Sequence, residues 1–132
     1  MASDLSTYLG NKIVRWLGGQ AMPTAPATVY LALFDGDPKA AGVEVSADVN
    51  SAGRQAIVWT VPSAGTVNVM ESSDDVDWGA SEGDVDLDWV AVFDAASAGN
   101  RLASKALSSP QSILTGQQVL FSAGDLSFTI GT

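Results

Sequence analysis

Eight acidic side chains and no basic one fall between residues 71 and 88, the densest cluster of reactive groups in the chain. Within it Asp84, Asp86 and Asp88 alternate, so on a β-strand their carboxylates project from one face. Oxygen ligands at that spacing suit Ca²⁺ or Mg²⁺. The segment lacks the fixed glycine and the terminal glutamate of an EF-hand loop. We therefore prefer a solvated acidic loop or edge strand, whose like charges discourage edge-to-edge pairing.

The composition argues against catalysis. The chain contains no histidine and no cysteine, which removes the commonest general base, the commonest transition-metal ligand and any disulfide. Two carboxylates of the acidic segment could form a glycosidase pair, but no residue pattern positions a sugar beside them. No glycine-rich phosphate-binding loop of the GxxxxGK[ST] type is present. We expect no catalytic residues, no cofactor and no enzymatic activity.

The charge balance bears on the partners. Fifteen acids against six bases give a formal net charge of -9, and the bases are scattered along the chain. Nucleic-acid binding needs clustered Lys and Arg to neutralise phosphates, so no nucleic-acid partner is expected. The same charge disfavours an anionic membrane surface. We also expect no signal peptide, because the N-terminus lacks a basic start and an apolar run. We expect no membrane span, because no apolar stretch reaches the roughly 20 residues that cross a bilayer.

The four tryptophans divide by context. Trp59 and Trp89 lie in strand patterns and are expected in the core. Trp16 lies on a helical stripe, where it serves either as core or as an interface anchor. Trp78 lies within the acidic segment and is expected to be partly exposed. An exposed aromatic flanked by acids can bind a sugar, but we prefer the interpretation that Trp78 packs over one end of the sandwich.

Residues 1–19 are predicted to form an amphipathic helix, with its regular part near residues 4–17. Ser3 or Ser6 can cap its start, and Gly18 with Gly19 ends it. The apolar stripe must be buried, either against its own sheet or against a neighbouring chain. The candidate interface residues on this stripe are Leu5, Leu9, Ile13 and Trp16.

Residues 27–132 have the texture of a β protein, with short apolar or alternating runs separated by Gly, Asn and Asp. We predict a single domain over residues 1–132, mainly β, an antiparallel β-sandwich of jelly-roll-like type with one short N-terminal α-helix. The predicted strands are 27–34, 55–61, 65–70, 87–93, 101–107, 118–121 and 126–130.

Two strands and two turns carry more specific predictions. The run 27–34 is apolar on both faces, which predicts a central strand covered on both sides. The turn 97–100 predicts a hairpin between 87–93 and 101–107, with Gly99-Asn100 adopting positive φ. The turn 122–125 predicts a final hairpin. Along 87–93, alternation places four residues on one face: Leu87, Trp89, Ala91 and Phe93.

The order of these features resembles a known family. LSTYLGNKIVRWLGG leads into PATVYLALFDGDP, then GRQAIVW, then Trp78-Gly79, then VAVFDAASAGNRLASKAL, and the chain closes with TGQQVLFSAGDLSFTI. This order is similar to that of small structural proteins of tailed-bacteriophage virions, often labelled tail-fibre-like. The resemblance covers nearly the whole chain, and its most specific parts are the helix followed by ATVYLALF and the stretch 93–107. The acidic segment departs from the family pattern.

The resemblance implies a non-enzymatic structural protein of the virion, made in the host cytoplasm. Its partners would be the major capsid protein or other virion proteins, and it would be a homo-oligomer. We prefer a capsid decoration or cement protein that stabilises the shell, because the chain is too short for the long shaft of a complete fibre. The alternatives are a tail or tail-fibre component that contacts the host, and a carbohydrate-binding adsorption module built around an exposed groove at Trp78.

Chelation tests the acidic segment. We expect EDTA to leave the melting temperature of the purified protein unchanged, because a solvated acidic segment loses no bound ion from its folded state. Calorimetry with and without EDTA measures this. A large drop that Ca²⁺ restores would instead establish a metal site at Asp84, Asp86 and Asp88.

Overall fold

A computed structural model describes residues 4–60 and 69–129. Its two helices are α1, Thr7–Leu17, and α2, Ser46–Val49. Its ten strands are β1 Val29–Asp35, β2 Val43–Glu44, β3 Gln55–Ile57, β4 Trp59–Thr60, β5 Val69–Ser72, β6 Val76–Ala80, β7 Val85–Phe93, β8 Arg101–Ile113, β9 Gln118–Phe121 and β10 Ser127–Thr129.

The strands form three antiparallel sheets. The large sheet has the order β2-β1-β7-β8, with β3 also paired to β1. A three-stranded sheet, β10-β5-β4, and a two-stranded sheet, β6-β9, supply the strands of the opposite layer. The fold is therefore mainly β and sandwich-like with one short N-terminal helix, as the sequence predicts. The single turn of α2 is an addition to that prediction.

The two-sided burial predicted for β1 is confirmed. Leu31 and Leu33 belong to the main core between the layers. Ala32 and Phe34 lie on the opposite face in a second, smaller cluster. β7 pairs with one edge of β1, whereas β2 and β3 share the other edge. The two clusters therefore cover the alternating side chains of β1 on both faces of the sheet.

The main core joins the large sheet to the two small sheets. Apolar side chains from β1, β7 and β8 meet those of α2, β3, β6, β9 and β10. Burial of this surface is the main favourable term in folding. The core residues are Leu31, Leu33, Val45, Val49, Ile57, Val76, Trp78, Leu87, Val90, Val92, Ala103, Val119, Leu126 and Phe128.

The strand β7 does not keep one face along its length. Leu87 packs in the main core, whereas Trp89, Ala91 and Phe93 lie in the second cluster. The prediction that all four share a face is therefore wrong for Leu87. The physical reason is an irregularity in pairing, because the register against β8 shifts between Leu87 and Trp89. Such a shift breaks the period-two alternation of side chains.

The hairpin predicted at the C-terminal end is also wrong, although its first strand is present as predicted. β9 pairs with β6, and β10 pairs with β5. The intervening turn carries the chain from one small sheet to the other. Gly124 N–H donates to the Ser72 carbonyl at 2.7 Å, which ties this turn to β5. Long-range partners therefore take precedence over pairing between sequence neighbours.

The predicted run 55–61 divides in a similar way. Its first part, β3, joins the large sheet, and its second part, β4, joins the three-stranded sheet. The exposed Val58 separates the two. Residue 61 and residues 65–68 of the next predicted strand lie outside the described residues.

The hairpin between β7 and β8 is confirmed, and its turn is fixed by one carboxylate. Asp94 accepts hydrogen bonds from the backbone N–H and the side-chain amide of Asn100, at 2.7 and 3.0 Å. Gly99 adopts φ +74, and a Cβ there would lie 2.5 Å from Asp94 Oδ1. Glycine is required both by the backbone conformation and by this close approach. The prediction of positive φ is wrong for Asn100, because Ala98, with φ 53, takes the second left-handed position of the turn.

The side chain of Arg54, only 8% exposed, closes the second face of the large sheet. Its guanidinium forms a bidentate pair with Glu44, at 2.9 Å from Nε and 2.8 Å from Nη2. It also lies over the Phe93 ring, 3.7 Å from the ring centre. Nη1 donates to the carbonyls of Ala95 and Ala98. One cation thus holds β2, the entry to β3 and the β7–β8 turn together.

The carboxylate of Glu44 is held in its charged form. Burial raises its pKa, but hydrogen bonds from Arg54 and from the Ser46 hydroxyl, together with the Arg54 charge, lower it more. The net pKa of Glu44 lies below its usual value of 4.5. Ser46 Oγ also accepts the Leu33 N–H at 2.9 Å, so the network reaches β1.

Acid titration tests this network. Because the folded pKa of Glu44 is depressed, its contribution is present above pH 4.5 and is lost as pH falls through the folded pKa. We expect Glu44→Gln to lower the free energy of unfolding at neutral pH by about 1–3 kcal/mol. The difference from wild type should shrink in acid. Urea unfolding of both proteins down to about pH 3 measures it.

The comparison of the two proteins isolates Glu44 from other acids. The pKa values of Asp94 and Asp84 are also lowered, and both carboxylates are present in each of the two proteins. A difference in unfolding free energy that stays constant with pH would contradict the assigned role of Glu44.

Candidate assembly surface

The residues before α1 are tied into the sheets. Ser6 N–H donates to the Leu102 carbonyl, and Ser104 N–H donates to the Asp4 carbonyl, both at 2.8 Å. The Asp4 carboxylate accepts the Thr129 N–H at 2.7 Å. Residues 4–6 therefore act as a short strand along the free edge of β8, and the start of α1 is fixed.

The two ends of α1 follow the sequence prediction. The Ser6 hydroxyl accepts the Leu9 N–H at 3.1 Å, which is the N-cap interaction. Gly18 N–H donates to the carbonyls of Val14 and Arg15, which closes the last turn. The helix starts at Thr7, because residues 4–6 are extended along β8.

The predicted stripe of α1 divides into two parts. Leu5, Leu9 and Ile13 are half-buried, whereas Trp16 is 56% exposed. No residue of the helix itself is fully buried. The N-terminal half of the stripe therefore faces the protein's own sheets, and the C-terminal half faces solvent.

An apolar cavity of about 950 Å³ lies beneath the N-terminal half of α1. Leu5, Tyr8 and Leu9 line it from the helix side, opposite Trp59 and Phe128. Two carboxylates reach its wall, and both already accept backbone hydrogen bonds: they are Asp4 and Asp94. The cavity offers apolar packing rather than a pair of reactive groups.

Three exposed apolar residues near Trp16 were not among the predicted interface residues. Val14 is 67% exposed, Leu17 is 73% exposed and Met22 in the following connection is 42% exposed. A signal for Val14 and Leu17 exists in the sequence. The last turn, Ile13-Val14-Arg15-Trp16-Leu17, is apolar around most of its circumference, which is wider than one buried stripe requires. Met22 lines the apolar cavity, so we define the exposed end of α1 as Val14, Trp16 and Leu17.

The charge of α1 differs from that of the rest of the chain. The helix carries Lys12 and Arg15 and no acid. Lys12 lies over the Tyr8 ring at 5.3 Å. Over residues 4–60 and 69–129 Arg54 pairs with Glu44, and no ion pair joins Lys12 or Arg15 to an acid.

The acidic segment runs from the end of β5 through β6 into β7. Its three metal candidates contact different neighbours. Asp84 accepts the backbone and side-chain hydrogen bonds of Thr115, which lower the pKa of Asp84. Asp86 accepts from the Ser112 hydroxyl. Asp88 accepts a backbone N–H from the turn after β1. In the described part of the chain, no three acidic side chains form a group able to hold a metal ion.

The expectation that Trp78 is partly exposed is wrong. Its side chain is 1% exposed, and Nε1 donates to the Gly53 carbonyl at 2.9 Å. The ring meets Phe121 edge to face at 6.1 Å. The reason is the alternation of β6, which directs Val76 and Trp78 inward and Asp77 outward. The acidic segment thus supplies a core residue, and Trp78 lines no ligand groove.

Two tryptophan substitutions test this assignment of buried and exposed sites. We expect Trp78→Ala to lower the free energy of unfolding by about 3–5 kcal/mol, because it opens a cavity in the core. The matched control Trp16→Ala should change it by less than about 0.5 kcal/mol, because Trp16 is exposed. Urea unfolding followed by circular dichroism measures both. Equal losses would contradict the exposed position of Trp16.

Neither helix of the described residues is long and apolar enough to cross a membrane. No curated protein matches the chain. The family model described as Podophage GP4 fiber I protein gp80 matches residues 4–129, which is nearly the whole chain. This confirms the phage resemblance drawn from the sequence and indicates a structural component of the virion. The chain belongs to the family of podophage fibre proteins described as GP4 fiber I protein gp80.

Proposed function

We propose that this protein is a non-enzymatic structural subunit of a phage fibre, and that it packs against other virion proteins through the exposed end of α1. The observation that carries the proposal is the extent of the family match. It covers residues 4–129 and therefore both layers of the sandwich and α1 together. The role belongs to the fold as a whole rather than to a site placed on it.

The contacts of the acidic residues support a structural role. Asp84, Asp94 and Asp125 each accept a backbone N–H at a turn. These are turn-stabilising interactions of carboxylates. The lowered pKa values of Asp84 and Asp94, which come first from these backbone hydrogen bonds, keep both groups ionised at neutral pH. A general acid needs the opposite shift.

The fibre is favoured over capsid decoration. The argument for capsid decoration is that the chain is too short for a complete fibre. A fibre can, however, be assembled from several short subunits. Chain length therefore does not distinguish a fibre subunit from a decoration protein. The family description, which names a fibre protein, favours the fibre. A carbohydrate-binding module depends on an exposed groove at Trp78, and that ring is buried.

Imaging of virions tests the proposal. Antibodies raised against the purified chain and coupled to gold should label the fibres. Virions treated with pre-immune antibodies serve as the control. Label over the capsid shell would favour the decoration protein and overturn the proposal. Intact virions without label, from which the chain is also absent by mass spectrometry, would overturn both structural positions.

A further inference from the structure

The exposed end of α1 has the composition of a protein–protein contact. Nine large apolar residues are exposed over residues 4–60 and 69–129, and three of them, Val14, Trp16 and Leu17, lie in the last turn of α1. Such a concentration marks an interaction site more often than scattered exposure does. Trp16 and Arg15 are residue types that dominate binding energy at interfaces.

The positive charge around this end predicts that the partner surface is negatively charged. Lys12 and Arg15 flank the apolar residues, and α1 contains no acid. All fifteen acids of the chain lie outside α1, with only four bases. A surface that complements α1 is therefore acidic with an apolar centre.

Each copy of the chain presents such a surface on the outer face of β6 and β9. Asp77 stands directly opposite Leu120 in the antiparallel register. Leu120 is 41% exposed, and Asp74 and Asp75 are exposed just before β6. An exposed apolar residue beside an exposed carboxylate complements an apolar helix end flanked by cations. We define this acidic face as Asp74, Asp75, Asp77 and Leu120.

Two of these carboxylates are already oriented. Asp77 Oδ2 accepts from the Gln118 amide at 3.2 Å, and Asp75 Oδ1 accepts the Ala123 N–H at 2.9 Å. Both acceptors retain lone pairs for a cation. Holding them in place reduces the entropy lost when a partner binds.

We infer that the exposed end of α1 of one copy docks on the acidic face of a second copy. The inference deepens the proposed structural function and rests on it only for placing the contact in a fibre. Because the two contacting surfaces differ, the association is heterologous and can extend from copy to copy. Residues 4–6 fix the helix start on β8, and among the described residues no ion pair joins Lys12 or Arg15 to an acid.

Charge reversal with rescue tests the contact on the purified full chain. One variant carries Lys12→Glu and Arg15→Glu, and the other carries Asp74→Lys and Asp77→Lys. Sedimentation velocity over a concentration series measures association. We expect each variant alone to associate at least about tenfold more weakly than wild type, because like charges then face each other. An equimolar mixture should return to within about threefold of wild type, and salt should weaken wild-type association.

Two controls accompany the measurement. Asp48→Lys reverses an exposed acid on α2 and should leave association unchanged. Thermal melting verifies that each variant is folded. If the Asp74/Asp77 variant does not fold, Leu120→Ser and Trp16→Ser replace the reversals, and each is expected to weaken association.

A wild-type chain that stays monomeric at all concentrations would overturn the inference. So would a mixture that associates no better than either variant alone. Neither outcome changes the prediction that gold-coupled antibodies label the fibres. Failure of the contact is therefore distinguishable from failure of the proposed fibre function.

Discussion

The burial of both faces of β1 is the constraint on which the rest of the structure depends. A strand with alternating apolar side chains on both sides is stable only when each face is covered. Leu31 and Leu33 require the opposite layer, which the two small sheets and α2 provide. Ala32 and Phe34 require a second cover, and the chain has no further sheet in its described part to supply it. The positions of the Arg54–Glu44 pair and of the β7–β8 turn follow from this second requirement.

The second cover is built from an aromatic stack and one cation. Phe34 and Phe93 stack at 6.2 Å, and the Arg54 guanidinium lies over Phe93. A cation this deeply buried is stable only when its hydrogen bonds are satisfied, which explains the bidentate Glu44 and the two turn carbonyls. The same contacts hold the β7–β8 turn. The contacts of Arg54 therefore both cover this face of the large sheet and hold the β7–β8 turn.

The structure separates the fixed part of the N-terminal region from the part available to partners. Residues 4–6 complete the edge of β8, and the first turns of α1 cover an apolar cavity. The last turn presents Val14, Trp16 and Leu17 to solvent beside the basic side chain of Arg15. The helix is therefore fixed at its start and apolar and solvent-exposed at its end.

The sequence by itself determined the features that depend on near neighbours. Serine capping and glycine termination placed α1, alternation placed most strands, and Gly99 with Asn100 marked the turn between β7 and β8. The absence of histidine and cysteine removed the commonest general base, the commonest transition-metal ligand and any disulfide. The tertiary structure decided the partners of β9 and β10, the two faces used by β7, the burial of Trp78 and the exposed end of α1. These features depend on contacts between residues far apart in the chain, and local periodicity contains no information about which distant surface will cover a given side chain.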